Sequence, residues 1–273
     1  MNIQWYPGHM AKARRKLENQ LRWVDIVIEV CDARLPISSR NPLLNNMLGS
    51  KPKLLLMNKA DLADSVKTDQ WLKKLGQESA VLAISALTGA GVKKISGLLE
   101  NILADRMARL KARGVKDRPI RAMVVGIPNV GKSSLINQMV GGSRAKTGKK
   151  PGVTRENQWI RINPRIELLD TPGMLWPKFE DLEVGRKLAA TGAIKDESFD
   201  QEELATWLCK WLLENYPQEF KKHYDLADSE LDLEGIGRRR GCLISGGRID
   251  TLKTAQVFLK DFRSGKIAKI TMD

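Results

Sequence analysis

The chain has 273 residues, of which 42% are hydrophobic, so it can bury one sizeable core and a smaller second one. Its 46 lysines and arginines exceed its 32 acidic residues, giving a formal net charge of +14, which predicts a polyanionic partner besides any nucleotide. No apolar run approaches the roughly 20 residues that span a bilayer, no secretory signal pattern is present and the cysteines form no Cys-x-x-Cys motif, so we expect a cytoplasmic protein without a membrane segment.

The basic excess is unevenly distributed along the chain. Residues 1–177 contain 30 basic and 14 acidic residues, whereas residues 178–273 contain 16 and 18. Within the second half, residues 178–234 contain 7 basic and 15 acidic residues, and residues 235–273 contain 9 and 3. We therefore predict a basic first domain, 1–177, and a second domain, 178–273, with a basic end.

The chain begins with a predicted basic helix, followed by strands. Residues 5–23 start with an unusual Trp-Tyr-Pro-Gly-His segment and continue as an amphipathic helix, with Leu17 and Leu21 on its apolar face. Its cationic face either is solvated or contacts nucleic acid. Residues 24–31 are mostly apolar and β-branched, as in a strand of a covered parallel sheet. A helix is predicted from Asn41 and Pro42, and residues 53–57 and 80–84 are predicted strands.

Two of these strands end in residues suited to a purine base. The motifs are Asn58-Lys59-Ala60-Asp61 and Ser85-Ala86. Carboxyl ends of parallel strands are where open α/β sheets bind ligands. Asp61 can accept hydrogen bonds from N1–H and the 2-amino group of guanine, which adenine lacks, and such a site discriminates by roughly 10⁴-fold. We expect Asn58 to contact the base and tie loops together, the Lys59 stem to cover the ring, and the Ser85-Ala86 backbone to meet the guanine oxygen.

A second basic patch precedes the most specific motif. Residues 91–113 are predicted to form a helix from the spacing of their apolar residues. The connection over residues 106–121 contains seven basic residues. It leads into a predicted strand, 121–125.

The motif after that strand is a phosphate-binding loop. It is Gly126-Ile127-Pro128-Asn129-Val130-Gly131-Lys132-Ser133, with a predicted helix over residues 134–140. Its glycines let backbone N–H groups turn inward around phosphates, while the lysine reaches the β and γ phosphates and the serine hydroxyl binds Mg²⁺. The predicted nucleotide contacts are Asn129, Val130, Gly131, Lys132, Ser133 and Ser134.

Two further segments predict contacts with Mg²⁺ and the γ phosphate. Residues 141–155 have the composition of a loop, in which Thr154 is expected to bind Mg²⁺ and sense the γ phosphate. Residues 158–162 and 166–169 are predicted to form a hairpin. The second of these strands ends at Asp170, the expected metal-site aspartate, and Gly173 can bring its N–H to the γ phosphate.

Residue 174 predicts slow intrinsic hydrolysis. Ras-like proteins place a water-orienting glutamine after the glycine of this motif. Here that residue is Met174, whose side chain cannot hold water in place.

The motifs come in an unusual order. The base motifs precede the phosphate loop, whereas guanine-nucleotide-binding proteins usually have them after it. A circular permutation joined over residues 105–119 resolves this order, because domain termini often lie close together. The expected fold is therefore α/β: a circularly permuted P-loop GTPase domain with a mostly parallel six-stranded sheet and helices on both faces, followed by an all-α C-terminal domain.

The C-terminal half reads as helices with a basic end. Helices are predicted over residues 181–191, 200–215 and 251–263. An apolar stripe in the second of them is expected to form a bundle core. The basic residues of the end are Arg238, Arg239, Arg240, Arg248, Lys253, Lys260, Arg263, Lys266 and Lys269, and they suit RNA phosphates.

In these features the chain resembles the ribosome biogenesis GTPase A family over nearly its whole length. The resemblance rests on the permuted order and on the motifs Trp5-Tyr6-Pro7-Gly8-His9-Met10, Asp32-Ala33-Arg34-Leu35-Pro36, residues 126–133, Pro151-Gly152-Val153-Thr154 and residues 170–177. It implies GTP/GDP and Mg²⁺ as cofactors, and the large ribosomal subunit and its rRNA as partners that stimulate hydrolysis. DNA is not indicated, and we expect a monomer.

The resemblance also indicates what replaces the missing glutamine. In this family the Pro-Gly-His-Met element is thought to reach the nucleotide, which makes His9 either catalytic or structural. Asn129 is similar to an asparagine that holds K⁺ against the phosphates in related GTPases. We assign catalysis to His9, Lys132, Thr154 and Gly173, with K⁺ at Asn129.

Two other functions fit parts of the pattern. A P-loop ATPase or kinase would share the phosphate loop but need a different base site. An RNA-binding assembly scaffold, in which the nucleotide is structural, would bind rRNA equally in every nucleotide state.

Overall fold

The computed structural model describes residue 15 and residues 17–115, 118–141, 159–171, 181–227 and 230–273, with Asn45 and Asn46 described by backbone only. The chain divides into two compact units. One lies within residues 5–177 and also includes Asp273, and the other contains residues 178–272. They are described in turn.

A six-stranded sheet forms the first unit. Its strands are β1 Ile26–Asp32, β2 Lys53–Asn58, β3 Ala80–Ala83, β4 Ile120–Val125, β5 Trp159–Asn163 and β6 Ile166–Asp170. Their order across the sheet is β3-β2-β1-β4-β6-β5, and all neighbours are parallel except β5 and β6, which are antiparallel. The mostly parallel six-stranded sheet and its hairpin are thus confirmed.

Four helices of this unit follow strands. They are α1 Pro42–Leu48, α2 Ser65–Gly76, α3 Lys94–Ala112 and α4 Lys132–Val140. Asn41 caps α1 by accepting a hydrogen bond from Leu43 N–H, as its position before a proline predicts. The apolar spacing of residues 65–76 does not predict α2, which is capped by Asp64, whose carboxylate accepts from the N–H groups of Val66 and Lys67.

Apolar side chains pack on both faces of the sheet. Every residue of β1 is buried, although successive side chains point to opposite faces, so both faces are covered. On one face Leu17 and Leu21 pack with Val27 of β1, Leu44 of α1 and Met123 of β4. The apolar side of the predicted N-terminal helix therefore belongs to the core.

A partly buried ion pair holds the permuted join against the sheet. The carboxylate of Asp25 accepts hydrogen bonds from both terminal nitrogens of Arg118, at 2.7 and 2.8 Å, and from Arg121 N–H at 3.0 Å. Burial alone would raise the pKa of Asp25, but these donors outweigh it and lower the pKa below its usual value. The start of β1 thereby holds the segment that enters β4.

The second unit is helical. It contains α5 Leu182–Ala190, α6 Gln201–Asn215, α7 Pro217–Tyr224, α8 Leu233–Arg239 and α9 Thr251–Arg263, with a short 3₁₀ helix, Asp196–Ser198. Leu204, Leu208 and Leu212 of α6 are buried, which confirms the apolar stripe. Phe220 of α7 packs edge-on against Phe258 of α9. Throughout the described ranges, no helix combines the length and apolar character needed to cross a membrane.

Replacing Asp25 with Ala should destabilise the first unit by about 3 kcal/mol, because the charge of Arg118 loses its buried partner while staying partly hydrated. Urea unfolding measures this change. Glu167→Ala is the control, since its contact with Arg121 is 3.9 Å long and partly exposed, and it should cost less than about 1 kcal/mol. Equal losses in the two variants would contradict a special role of Asp25.

Candidate functional site

The candidate site lies where β1, β2, β3, β4 and β6 end. Because these strands are parallel, their carboxyl ends meet at one edge of the sheet. The predicted base motifs follow β2 and β3, the phosphate loop follows β4, and Asp170 ends β6. The fold therefore brings the described predicted site residues to a single edge, even though they are far apart in the chain.

The phosphate loop folds tightly between β4 and α4. Gly126 and Gly131 have φ angles of 155° and 95°, which L side chains rarely adopt. A Cβ at Gly126 would lie 2.4 Å from the Val30 carbonyl oxygen, and one at Gly131 would lie 2.3 Å from Asn58 Nδ2. Both glycines are thus required for the loop to approach its neighbours this closely.

Lys132 lies inside this loop. Its Nζ donates hydrogen bonds to the carbonyl oxygens of Gly126, at 3.1 Å, and Ile127, at 2.8 Å. Burial lowers the pKa of Lys132 to about 8, against an opposing effect of Asp170. A largely desolvated ammonium group surrounded by the loop is suited to bind phosphate oxygens, which would stabilise its charge.

Asp170 faces the lysine from the end of β6. Burial raises the pKa of Asp170, although the charge of Lys132 and the Thr171 N–H oppose this rise. The Thr171 hydroxyl donates to the Val124 carbonyl oxygen at 2.6 Å, which ties the ends of β6 and β4 together. A carboxylate near Lys132, the residue before the exposed Ser133, fits a Mg²⁺ site that Ser133, phosphate oxygens and water would complete. In the described ranges no cluster of three acidic, His or Cys residues could hold a metal alone.

Asn58 joins the phosphate loop to the base motifs. Its side chain is buried and donates from Nδ2 to the Val130 carbonyl oxygen at 2.7 Å. Its Oδ1 accepts from Ala86 N–H at 2.9 Å. This is the tie between loops that the sequence predicts, whereas contact of Asn58 with a base stays a prediction.

One carboxylate oxygen of Asp61, Oδ1, is buried and unpaired among the described residues. An unsatisfied buried carboxylate oxygen costs free energy, and the N1–H and 2-amino groups of guanine are donors of the required kind. The unpaired acceptor on Asp61 therefore fits guanine, which offers these two donors, better than adenine, which lacks them.

The Ser85-Ala86 turn differs in detail from the expectation. Ser85 Oγ accepts from Thr88 N–H at 3.1 Å, which fixes the turn. The Ala86 N–H already donates to Asn58, so a guanine oxygen would have to share that donor. Contact of this backbone with the guanine oxygen stays a prediction.

Several predicted residues lie outside the described residues. They are His9, Thr154, Gly173 and Met174. The described part of the site therefore comprises the base motifs, the phosphate loop and Asp170, and the predicted contacts of Thr154 and Gly173 with the γ phosphate stay predictions. Asn129 is described, with an exposed side chain and a φ of 59°, and its role with K⁺ stays a prediction.

One pair of residues beside the site, Asp32 and Arg34, has no function that the sequence motifs predict. Asp32 is the last residue of β1 and Arg34 follows the strand, and Lys59 Nζ lies 2.9 Å from Asp32 Oδ2. In the sequence the pair belongs to the motif Asp32-Ala33-Arg34-Leu35-Pro36, which carries the family resemblance but does not indicate the contact with Lys59. Spacing along the chain cannot show the contact, because it crosses between neighbouring strands.

Comparison with known proteins agrees with this geometry. A protein-family model described as 50S ribosome-binding GTPase matches residues 121–227. Ribosome biogenesis GTPase A of Bacillus pumilus is 48% identical to this chain, over 100% of the chain and 99% of that protein. The chain belongs to the ribosome biogenesis GTPase A family.

More distant similarities extend over the same length. Mitochondrial ribosome-associated GTPase 1 of Mus musculus is 34% identical over 99% of this chain and 90% of that protein. The crystal structure of GNP-bound YlqF from T. maritima matches with a TM-score of 0.67 and 26% identity, covering 96% of this chain and 97% of that one. As a member of this family, the chain is a GTPase that binds guanine nucleotide through a P-loop, which decides against the ATPase alternative.

Replacing Asp61 with Asn should lower the affinity for GDP at least about 100-fold, because the new amide no longer accepts from both guanine donors. The amide can instead donate to the 2-oxygen of xanthine, so affinity for XDP should rise. Competition binding with both nucleotides measures the exchange. Asp64→Asn, which removes the same charge but keeps a side chain able to cap α2, should leave the selectivity unchanged. An Asp61 variant that still prefers GDP would contradict the assignment.

Proposed function

We propose that this GTPase is a nucleotide-controlled switch in a late step of large ribosomal subunit assembly. In its GTP state it binds the rRNA of the maturing subunit, and the subunit stimulates the hydrolysis that releases it. We also propose that it acts as a monomer in the cytoplasm. The observation that carries the proposal is a guanine-nucleotide site and an exposed basic groove on the same compact unit.

The proposed catalytic assembly combines described residues with others outside the described ranges. Lys132 and the N–H of Gly173 bind the γ phosphate, while Ser133, Thr154 and Asp170 hold Mg²⁺. Mg²⁺ supplies positive charge to the phosphate oxygens. With Met174 unable to orient water, His9 takes that function, and Asn129 holds K⁺ where an arginine finger would otherwise supply charge.

The basic groove lies along the second half of α3. It has a volume of about 550 Å³, and the charged residues of its lining are Arg106, Arg109, Arg113 and one acidic residue, Asp105. Burial and the nearby Arg106 both lower the pKa of Lys51 at its edge. Arg109 and Arg113 are exposed, and neither pairs with an acidic side chain of the described residues. Their charge is therefore available to RNA phosphates.

The basic end of the second unit is partly occupied by internal contacts. Arg240 and Lys266 pair with buried Asp261, and Arg263 donates to Asp196 and to the Ala190 carbonyl oxygen. These three cations stabilise the helical unit. Arg238 and Arg239 form exposed pairs with Glu234 and Asp225, which stabilise little and leave both arginines accessible. The other candidates for RNA contact are Arg248, Lys253, Lys260 and Lys269, for which the described residues show no ion pair.

The proposal predicts that GTP turnover rises on addition of large ribosomal subunits and that cosedimentation with immature subunits requires GTP rather than GDP. Steady-state phosphate release and sedimentation in each nucleotide state measure both. Equal turnover with and without subunits would overturn the switch. Binding that is independent of nucleotide would support the scaffold alternative.

Two protein variants, measured in the same turnover assay, test which residues replace the missing water-orienting glutamine. His9→Ala should lose the stimulated turnover while keeping GDP affinity, because histidine acts on water rather than on binding. Asn129→Ser should remove the difference in turnover between K⁺ and Na⁺ buffers. Unchanged stimulation in the first variant, or a retained K⁺ effect in the second, would remove that residue from the mechanism.

Replacing Arg109 and Arg113 together with Glu should weaken subunit binding and reduce the slope of log affinity against log salt by roughly two, since two phosphate contacts are lost. Titration at several salt concentrations gives the slope. Lys93→Glu with Lys94→Glu is the matched control, because these exposed lysines change the same charge at the opposite end of the helix. Equal weakening by both pairs would show a response to net charge alone and would overturn the groove as the contact.

A further inference from the structure

We propose that Asp32 is a positioning residue for guanine recognition: held in place by Arg34, it fixes Lys59 so that the lysine stem lies over the base. The inference rests on the proposed nucleotide site, and it assigns a role to the turn after β1, which no part of the GTPase mechanism above uses.

The contact that carries it joins two neighbouring strands. Lys59 Nζ lies 2.9 Å from Asp32 Oδ2. β1 and β2 pair in parallel, with Asp32 opposite Asn58, so the residue after each strand lies at the same edge of the sheet. The lysine ammonium is therefore anchored on the strand beside its own, and the four-carbon stem runs between a fixed backbone and a fixed end.

Arg34 orients the Asp32 carboxylate, which in turn binds the Lys59 ammonium. Its Nε and a terminal nitrogen donate to the two oxygens of Asp32, at 3.0 and 2.8 Å, and its backbone N–H donates to Oδ1 at 3.0 Å. Asp32 and Arg34 are only 3% and 2% exposed. A bidentate guanidinium in a buried setting restricts the carboxylate to one orientation. Burial would raise the pKa of Asp32, but Arg34 and Lys59 lower it well below its usual range, so the charge persists at neutral pH.

The backbone of the same turn supports the lysine as well. Ala33 N–H donates to the Asn58 carbonyl oxygen at 2.7 Å, and Ala60 N–H donates to the Ile84 carbonyl oxygen at 3.0 Å. Between these bonds Lys59 has a φ of 63°, a left-handed conformation that costs a lysine free energy. The surrounding contacts keep the residue in a conformation that the isolated chain would avoid.

Through Lys59, Asp32 can change the affinity for the base. The lysine stem is expected to cover the guanine ring, and the position of the stem depends on where the ammonium is anchored. Loss of the Asp32 charge would leave Lys59 free to choose other rotamers, and ordering it again would reduce nucleotide affinity. The effect should concern the base and not the phosphates, which bind at the other end of the site.

A double-mutant cycle tests this dependence. Asp32→Asn and Lys59→Met should each lower GDP affinity by about tenfold, and the double variant should bind no more than about twofold more weakly than Lys59→Met, because the two residues act through one contact. Lys59→Met keeps the stem and leaves the Asp32–Arg34 pair intact, so one arm of the cycle does not disturb the buried turn. Additive losses in the cycle would overturn the proposal.

A second measurement separates positioning from loss of structure. Inorganic pyrophosphate, measured by competition against labelled GDP with wild-type and variant proteins, lacks the base, so its affinity should be unchanged by Asp32→Asn. A parallel loss for pyrophosphate and GDP would mean that the variant disturbs the whole site, and it would also overturn the proposal.

Glu29→Gln is the matched control. Glu29 is another buried carboxylate of β1, paired with Arg40 at 3.2 Å and Lys53 at 3.5 Å and not with Lys59. It should lower the melting temperature to a similar degree while leaving GDP affinity unchanged. If the wild-type protein itself fails to bind GDP, the proposed function fails. If the wild type binds GDP but the cycle is additive, only the role of Asp32 fails.

Discussion

The site depends on one buried amide, that of Asn58. A single side chain donates to the phosphate loop and accepts from the turn after β3, so three loops from distant parts of the chain share one hydrogen-bonded centre. Gly131 lies so close to this amide that any side chain at that residue would collide with it. The asparagine of the base motif therefore requires a glycine at residue 131 of the phosphate loop, because the two pack directly against each other.

Circular permutation changes the order of the chain without changing this constraint. What the site requires is that the carboxyl ends of five strands meet, and the sheet order provides this regardless of where the chain begins. The new join is held to the sheet by Asp25, which accepts hydrogen bonds from Arg118 and from the N–H of Arg121 in β4. A basic groove then occupies the helix that leads to the join, so the connection and the proposed RNA contact share one element.

Local signals made most of the fold and part of the site predictable. Glycines that need positive φ, β-branched runs and a cap before proline act within a few residues, and they placed β1, β4, the phosphate loop and α1 correctly. Helix α2 was missed because only Thr68 and Leu75 are buried in it, which leaves no continuous apolar stripe. Helix α8 was missed because it is short and contains Gly235 and Gly237, which pack closely against neighbouring residues. The Asp32–Lys59 contact was missed because it depends on strand pairing rather than on spacing.

The sheet order also has a consequence for biosynthesis. β1, β2 and β3 are made first and can pair with one another, but the other edge of β1 is completed only by β4. Until Ile120–Val125 leaves the ribosome, that edge is an open row of backbone donors and acceptors. The strands that carry the base motifs are therefore synthesised before the strand that leads to the phosphate loop. Pairing of β1 with β4 closes a longer stretch of chain than pairing of β1 with β2, so we expect it to form later in folding.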